Sequence, residues 1–376
     1  MRLVHESIPE GVPLSTGSCM AERRLMAGNE AAGEGAIRAG CRFYYGYPIT
    51  PQNELTEYMA SRLAEVGGTF IQAESELAAI NMVYGSAAAG ARAMTSSSSP
   101  GISLKQEGIS YLAGSELPAV IINAQRGGPG LGDISPSQSD YFQSVKGGGH
   151  GDYHIIVLAP YSVQEYGDLV YDAFDLADTY RIPVMVLADG QLGQMMEPVE
   201  FQDRESLDMP PKDWALTGAK DGRERNITKS FYWIKGDLEK FNLKLQAKYD
   251  EIRRKEVRFE TYDVEDADLV LVAYGTSARI CREVLELGRR SGYRVGLLRP
   301  ITLWPFPTKQ LQEMAESVER FLVVEMSYGQ MVEDVRLAIE GQRPVDFYGR
   351  SGGAVPTSKE ILGEVVRIMS HREAAE

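Results

Sequence analysis

From residue 25 to about 200 the chain alternates short apolar runs with longer amphipathic ones. The runs CRFYYGYP (41–48), TFIQA (69–73), ARAMT (91–95), PAVIINAQ (118–125), HIIVLAP (154–160) and IPVMVLAD (182–189) read as strands apolar on both faces, as in a parallel sheet covered on both sides. Between them, ELTEYMASRLAEVG, ELAAINMVYGSAAAGA, SLKQEGISYLAG and VQEYGDLVYDAFDLADTY carry apolar residues at helical spacing. The alternation predicts an α/β domain, and ligands of such domains gather at the carboxyl ends of the strands.

The pattern changes twice further on. Between residues 203 and 262 the stretch DRESLDMPPKDW has loop chemistry, and Leu238, Phe241, Leu245, Tyr249 and Ile252 fall at helical spacing. Residues 223–260 hold 11 Lys or Arg against 7 Asp or Glu, a local excess of positive charge that suits either a brace for a partner or a solvated bridge between domains. A second α/β pattern begins at ADLVLVAYGTS (267–277), with strands near YRVGLLRP (293–300), RFLVVEMS (320–327) and PVDFYGRS (344–351). Within its last part, GRSGG (349–353) suits a turn or a ligand loop. The breaks predict a flexible arm over 1–22, an α/β domain over 23–202, a charged helical linker or insert over 203–264 and a second α/β domain over 265–376.

Composition excludes several classes. The net charge of −14 opposes an extended nucleic-acid surface, which needs clustered cations in a field that does not repel phosphate. Cys19, Cys41 and Cys281 are the three cysteines; so few and so scattered, they build neither a disulfide framework nor an iron–sulfur site, which points to a reducing, cytoplasmic setting. No signal-peptide core and no run of about 18 apolar residues is present.

Four stretches carry candidate chemistry at the ligand edge. In TSSSSPGISLKQEGISY (95–111) the serines follow a strand and precede a helix, so Ser99 is placed as N-cap and Pro100 as the first helical residue. A plain capped turn and a ligand loop share this signature. In YPITPQNE (47–54), Thr50 is placed as a cap before Pro51, and its hydroxyl is also suited to a substrate carboxylate near a helix N-terminus. In AESELAAINMVYGSA (73–87), Glu74 and Glu76 stand at the mouth of an apolar helix; such a glutamate is either a surface charge favoured by the helix dipole or a partly buried acid that shares a proton with a ligand. In the glycine-rich connection 123–154, Arg126 leaves the end of a strand, either as a surface residue or to fork onto a carboxylate. Its glycines fit neither a P-loop nor a dinucleotide turn, and GNEAAGEG (28–35) is a weak nucleotide signal. His150 has no spaced partner for a triad.

Taken together, GNEAAGEGAIRAGCRFYYGYPITPQNELTEYMA, QAESELAAINMVYGSAAAGARAMTSSSSPGISLKQEGISYLAGSELPAVI, RGGPGLGDISPSQSDYFQSVKGGGHGDYH and DGQLGQMMEP resemble the α subunit of the 2-oxoacid:ferredoxin oxidoreductases, the branched-chain 2-oxoisovalerate type first and the 2-oxoglutarate type next. The likeness implies a thiamine diphosphate-binding, pyrimidine-type parallel-sheet domain followed by a transketolase C-terminal-like α/β domain. It places Glu76 at ring nitrogen N1′ of the cofactor, where a shared proton promotes loss of the C2 proton, and Thr50 and Arg126 at the substrate carboxylate. It makes Pro48, Ile49, Glu74, Ser97, Ser98 and Ser99 cofactor-proximal. The implied reaction is oxidative decarboxylation of a 2-oxoacid with CoA to acyl-CoA, CO2 and reduced ferredoxin, on a branched-chain substrate or alternatively on 2-oxoglutarate or an aryl 2-oxoacid.

The family motif that holds Mg²⁺ and the diphosphate is a G-D-G followed by an Asn. Here ADGQLGQ (188–194) has Ala first and no Asn follows until Asn226, so Asp189 and Gly190 read as a strand end and a turn. No metal ligand is assigned to this chain. The resemblance puts the diphosphate and Mg²⁺ on a β subunit and [4Fe-4S] clusters on further subunits, with a γ-type subunit and ferredoxin as partners, in a dimer of heterodimers or larger. Two readings compete: a nucleotide-binding enzyme complete in one chain, for which the phosphate loop is lacking, and a non-catalytic scaffold, which an exposed Glu76 remote from any cleft would favour.

Overall fold

The structure is a computed structural model that describes residues 23–373 except 203, 205–208, 220 and 221; the arm expected over 1–22 lies outside the described residues. In chain order the first half comprises β1 (Arg23–Ala27), α1 (Gly28–Arg38), β2 (Phe43–Gly46), α2 (Asn53–Glu65), β3 (Thr69–Gln72), α3 (Glu76–Ala88), β4 (Ala93–Ser97) and α4 (Ser99–Gly114). It continues with β5 (Ala119–Gln125), α5 (Tyr141–Val145), β6 (Ile156–Leu158), α6 (Val163–Tyr180), β7 (Pro183–Asp189), α7 (Gly190–Gln194) and β8 (Met196–Glu200). Strands β6, β7, β5, β4, β2 and β3 lie side by side in that order and pair in parallel. Every residue of β5 and β7 is buried, as their unbroken apolar runs require of strands covered on both faces.

The order of the strands locates the crevice. From β2 the chain crosses to β3 on one side, then to β4 and β5 on the other, so the loops leaving β2 and β4 diverge and open a cleft at their carboxyl ends. The glycines of GNEAAGEG serve packing instead: a Cβ on Gly28 would lie 2.0 Å from the Leu192 carbonyl oxygen, and one on Gly35 would lie 2.2 Å from that of Gly167. They let α1 touch α7 and α6 backbone to backbone.

The second half holds α8 (Asp237–Lys255), β9 (Phe259–Tyr262), β10 (Leu269–Val272), α9 (Gly275–Arg290), β11 (Val295–Pro300), β12 (Thr302–Trp304), α10 (Thr308–Ser317), β13 (Arg320–Glu325), α11 (Met331–Ile339), β14 (Val345–Gly349) and α12 (Ser358–Glu373). Its sheet runs β14-β13-β10-β11-β9, with β9 antiparallel to β11. Thus residues 259–262, inside the segment read as a linker, form an edge of the second sheet. Strand β12 crosses over to pair antiparallel with β6, adding a seventh strand to the first sheet.

Helix α8 buries Leu245, Tyr249 and Ile252 and leaves Leu238 exposed. Its Lys244 and Lys248 both pair with the buried Glu116 ahead of β5, so part of its positive charge is used within the chain. The long loop after β5 is held by the second domain. Gln138 Nε2 donates to the Tyr274 carbonyl at 2.8 Å, and its Oε1 accepts from Ser277 Oγ at 2.7 Å and Met326 N at 2.9 Å. This carboxamide plugs the loop into the ends of β10 and β13.

Candidate active site

The serine run forms one wall of the crevice. Ser96 and Ser97 pair with Ile122 and Asn123 of β5, so the ladder keeps them extended and β4 runs two residues beyond ARAMT. The helix start shifts accordingly: Ser98, not Ser99, is the N-cap of α4, and Ser99, not Pro100, is its first residue. Ser98 makes no side-chain capping bond. The hydroxyls of Ser97 and Ser98 are buried without a hydrogen-bond partner, a deficit of about 1–3 kcal/mol for each such group. Ser99 Oγ is used, accepting from Arg126 N at 3.0 Å.

Glu76 closes the floor beside it. Ser75 caps α3 by accepting from Ala78 N at 3.2 Å, which sets Glu76 in the first turn, and Glu76 is 6% exposed. A Cβ on Gly101 would lie 2.1 Å from Ser97 Oγ and 2.6 Å from Glu76 Oε1. The carboxylate and the orphaned hydroxyl therefore meet against the first turns of α4, where the absence of a side chain leaves them room. Glu74 is exposed and accepts from Ser75 Oγ at 2.8 Å. The two glutamates do not share an environment.

Thr50 and Arg126 come together across the cleft. Thr50 does not cap α2: a turn closed by Gln52 N donating to the Ile49 carbonyl intervenes, and Gln52 is the N-cap. Arg126 is buried; Nη1 donates to the Thr50 carbonyl at 3.0 Å and Nη2 to the Leu131 carbonyl at 2.8 Å, while Nε is buried with no partner. Pro48 is exposed and Ile49 half-buried on the same loop. Asn29 steadies that loop by donating to the Pro51 carbonyl at 2.9 Å and to Glu54 at 2.8 Å.

Three residues of this wall escaped the reading of the sequence. Lys105 is wholly buried, and its Nζ donates to Thr95 Oγ1 at 2.8 Å and to the Ser96 carbonyl at 2.9 Å. Burial pulls its pKa down to about 7, against the opposing pull of the Glu76 charge. Tyr44 and Gln52 hold Ser96: Tyr44 Oη lies 2.6 Å from Ser96 Oγ, which in turn donates to Gln52 Oε1. Gln52 Nε2 is buried and unpartnered. The available signal for Lys105 was its spacing, four residues after Gly101 and so on the same face of α4.

Asp189 ends β7 and caps α7, its Oδ1 accepting from Gln191 N and Leu192 N, both at 3.1 Å; burial raises its pKa. Its other oxygen accepts from Thr276 N at 3.4 Å, tying the two domains. His150 is exposed. Among the described residues, no group of three His, Cys, Asp or Glu is placed to hold a metal ion, and no helix is long and apolar enough to cross a membrane.

A parallel sheet with this switch-point crevice, followed by a second α/β domain, defines a two-domain α/β protein that binds its ligand at the carboxyl edge of the first sheet. The family model described as pyruvate flavodoxin/ferredoxin oxidoreductase, thiamine diphosphate-binding, matches residues 34–255, and that of pyruvate:ferredoxin oxidoreductase core domain II matches 267–361. The ketoisovalerate oxidoreductase subunit VorB of Methanothermobacter marburgensis is 52% identical over 345 residues, covering 92% of this chain and 97% of that one. The 2-oxoglutarate synthase subunit KorA of the same organism is 37% identical over 373 residues, covering 92% and 99%. The solved 2-oxoglutarate:ferredoxin oxidoreductase from Magnetococcus marinus, with 2-oxoglutarate, coenzyme A and succinyl-CoA bound, superposes with a TM-score of 0.83 at 28% identity; the match covers 92% of this chain and 65% of that chain. This chain belongs to the 2-oxoacid:ferredoxin oxidoreductase family, as a subunit of an oxidoreductase with a ferredoxin acceptor.

Proposed function

We propose that the chain supplies the pyrimidine-side half of a thiamine diphosphate site shared with a partner subunit, in an enzyme that converts a branched-chain 2-oxoacid and CoA to acyl-CoA, CO2 and reduced ferredoxin. The observation that carries this reading is the buried Glu76 carboxylate set beside the orphaned Ser97 hydroxyl against Gly101, with the Ser98 hydroxyl, next in the chain, also buried and unpartnered. Unpaired polar atoms beside a buried carboxylate offer hydrogen-bond partners to a polar heterocycle. When bound, thiamine diphosphate supplies the carbon nucleophile and electron sink that decarboxylation needs. Glu76 holds and returns a proton at ring nitrogen N1′, and its burial keeps bulk water from that exchange.

Arg126 and Thr50 take the carboxylate common to all 2-oxoacids, with the free Arg126 Nε as the donor still available. Pro48 and Ile49 line the mouth, Ser99 orders Arg126, and Glu74 sits at the rim. The diphosphate, Mg²⁺ and [4Fe-4S] clusters belong to partner subunits in this reading. It is supported by Asp189, the carboxylate of the ADGQLGQ stretch, whose Oδ1 is taken up in capping α7. A γ-type subunit, ferredoxin, a dimer of heterodimers or larger and a cytoplasmic location complete the proposal.

The branched-chain substrate is supported by 52% identity to the ketoisovalerate subunit against 37% to the 2-oxoglutarate subunit, and CoA by its presence in the solved relative. A substrate panel on the purified complex, scored by kcat/KM, is expected to rank 2-oxoisovalerate and its branched homologues first. A preference for 2-oxoglutarate or an aryl 2-oxoacid refutes the substrate assignment, and failure to turn over any 2-oxoacid refutes the reaction.

A further inference from the structure

The irregular segment ahead of α8 carries an aromatic ridge into solvent: Phe231 is 64% exposed, Trp233 89% and Ile234 70%. The ridge is held from beneath. Half-buried Tyr232 stacks on Phe241 of α8 with 5.3 Å between ring centroids, while its two neighbours, Phe231 and Trp233, meet edge to face at 5.1 Å. Asn226 Nδ2 pins the approach by donating to the Ala215 carbonyl at 2.9 Å, and Leu216 N donates to the Ala88 carbonyl at the end of α3 at 2.8 Å. Large apolar side chains fixed together at a surface mark an interaction site, and aromatic rings are the anchors of such sites.

What covers the ridge follows from where it leads. Tyr111 and Gly114 at the end of α4 share a hollow with Ser230 and Leu238, so the ridge continues onto α4, whose exposed residues are Ser103, Leu104, Glu107 and Tyr111. The one charge among these, Glu107, accepts from Tyr111 Oη at 2.7 Å. Helix α3 lies against α4 at Gly108, where a Cβ would stand 2.5 Å from Ile80 Cγ2, and its exposed residues, Leu77, Asn81, Met82 and Gly85, carry no charge. A helix face meant for water is polar, yet these two faces run from Glu76 and Gly101 to the ridge with a single carboxylate between them. Around the ridge, residues 223–243 hold five Lys or Arg against three Asp or Glu. A two-fold contact between copies of this chain would set that positive rim against itself. We propose that Phe231, Trp233 and Ile234 anchor the subunit that brings the diphosphate half of the cofactor site, by filling an apolar groove with an acidic rim on that subunit. The inference rests on the reading of a thiamine diphosphate site shared between subunits. It adds a clamp about 20 Å along α4 from Gly101, at 1.5 Å per helical residue.

The test is photocrosslinking in the complete, co-purified complex. A benzophenone amino acid in place of Lys235, an exposed neighbour of the ridge, leaves the rings themselves intact, and its adducts are identified by mass spectrometry. Adducts with the subunit that carries the G-D-G and Asn motif are expected. Adducts only with a second copy of this chain or with an iron–sulfur subunit, or no adduct, overturn the proposal. In parallel, the double variant Phe231→Ser, Trp233→Ser is expected to fall away from that subunit at concentrations on the order of 10²-fold higher than the parent, the range for two lost aromatic anchors, as read by mass photometry on dilution. Its melting curve as an isolated chain should match the parent's, because both rings already face water; if that curve falls, the adducts alone decide. With the melting curve unchanged, parental dissociation overturns the proposal even where adducts form.

A second probe separates this inference from the reading beneath it. The same benzophenone is placed at Leu104, exposed on α4 three residues past Gly101 and so beside the half-site. If Leu104 reaches the diphosphate-carrying subunit while Lys235 does not, only the clamp fails. If neither position reaches it, the shared half-site fails, and the clamp with it.

Discussion

Replacing Gly101 by Ala adds one methyl group where the crevice has no room for it. The new Cβ would stand 2.1 Å from Ser97 Oγ and 2.6 Å from Glu76 Oε1, whereas carbon and its neighbours rest at about 3.5 Å or more. The serine hydroxyl must therefore retreat by more than about 1 Å and the carboxylate by nearly as much. Ser97 is held by the β4–β5 ladder and is fully buried, so the displacement falls on the groups that line the site. Alanine gains roughly 0.5–1 kcal/mol over glycine in a helix, against about 1–3 kcal/mol for overpacking. The net change in stability is small, a fall in Tm of at most several degrees. Activity should respond far more, since a misplacement of about 1 Å can lower a rate on the order of 10²-fold. The assay is exchange of the thiamine C2 proton in the assembled complex, followed by NMR after acid quench, beside a melting curve. Parental exchange with an unchanged or raised Tm would refute the placement of Glu76 and Ser97 against α4.

Glu76→Gln keeps the shape but not the titratable proton, and is expected to slow C2–H exchange about 10²-fold or more; Glu74→Gln, at an exposed position, should leave it within a few-fold, and the opposite pattern means the glutamates are exchanged in role. Arg126→Ala should raise KM and lower kcat/KM for every 2-oxoacid alike, because the carboxylate is shared by all of them; a loss confined to one side-chain class assigns the residue elsewhere. Gln138→Ala removes the carboxamide that three partners in the second domain use, and by about 1–3 kcal/mol per orphaned group it should lower the Tm of the complex by several degrees, which an unchanged melting curve would contradict. For Lys105 the folded pKa of about 7 lies below the ordinary 10.5, so between those values the unfolded chain binds more protons and stability rises with pH. Urea unfolding at pH 7 and pH 9 should show the parent gaining on Lys105→Met by roughly 1.4 kcal/mol per pH unit at most; equal pH dependence would mean that the amine is solvated.

The six parallel strands of the first sheet, strands β10, β11, β13 and β14 of the second and the edge that carries the crevice follow from local pattern, whereas β9 and β12 do not. A run apolar on both faces can rest only inside a covered sheet, and the carboxyl ends of parallel strands then share one edge, which is why the pattern places Glu76, Thr50, Arg126 and the serines on it. Helix starts were placed less well, because a cap competes with tertiary pairing: β5 extends β4 through Ser97, and the turn at Ile49–Gln52 delays α2. Spacing alone could not tell Glu76 from Glu74. Burial decides between them, and burial depends on α4 passing over the first turn of α3. The same packing encloses Lys105 and leaves the hydroxyls of Ser97 and Ser98 without partners, and the docking of the second domain turns Gln138 from a loop residue into a clamp and carries β12 into the first sheet. These are contacts between residues distant in the chain, whose energies exist only once the sheets have formed, so no local window of sequence contains them.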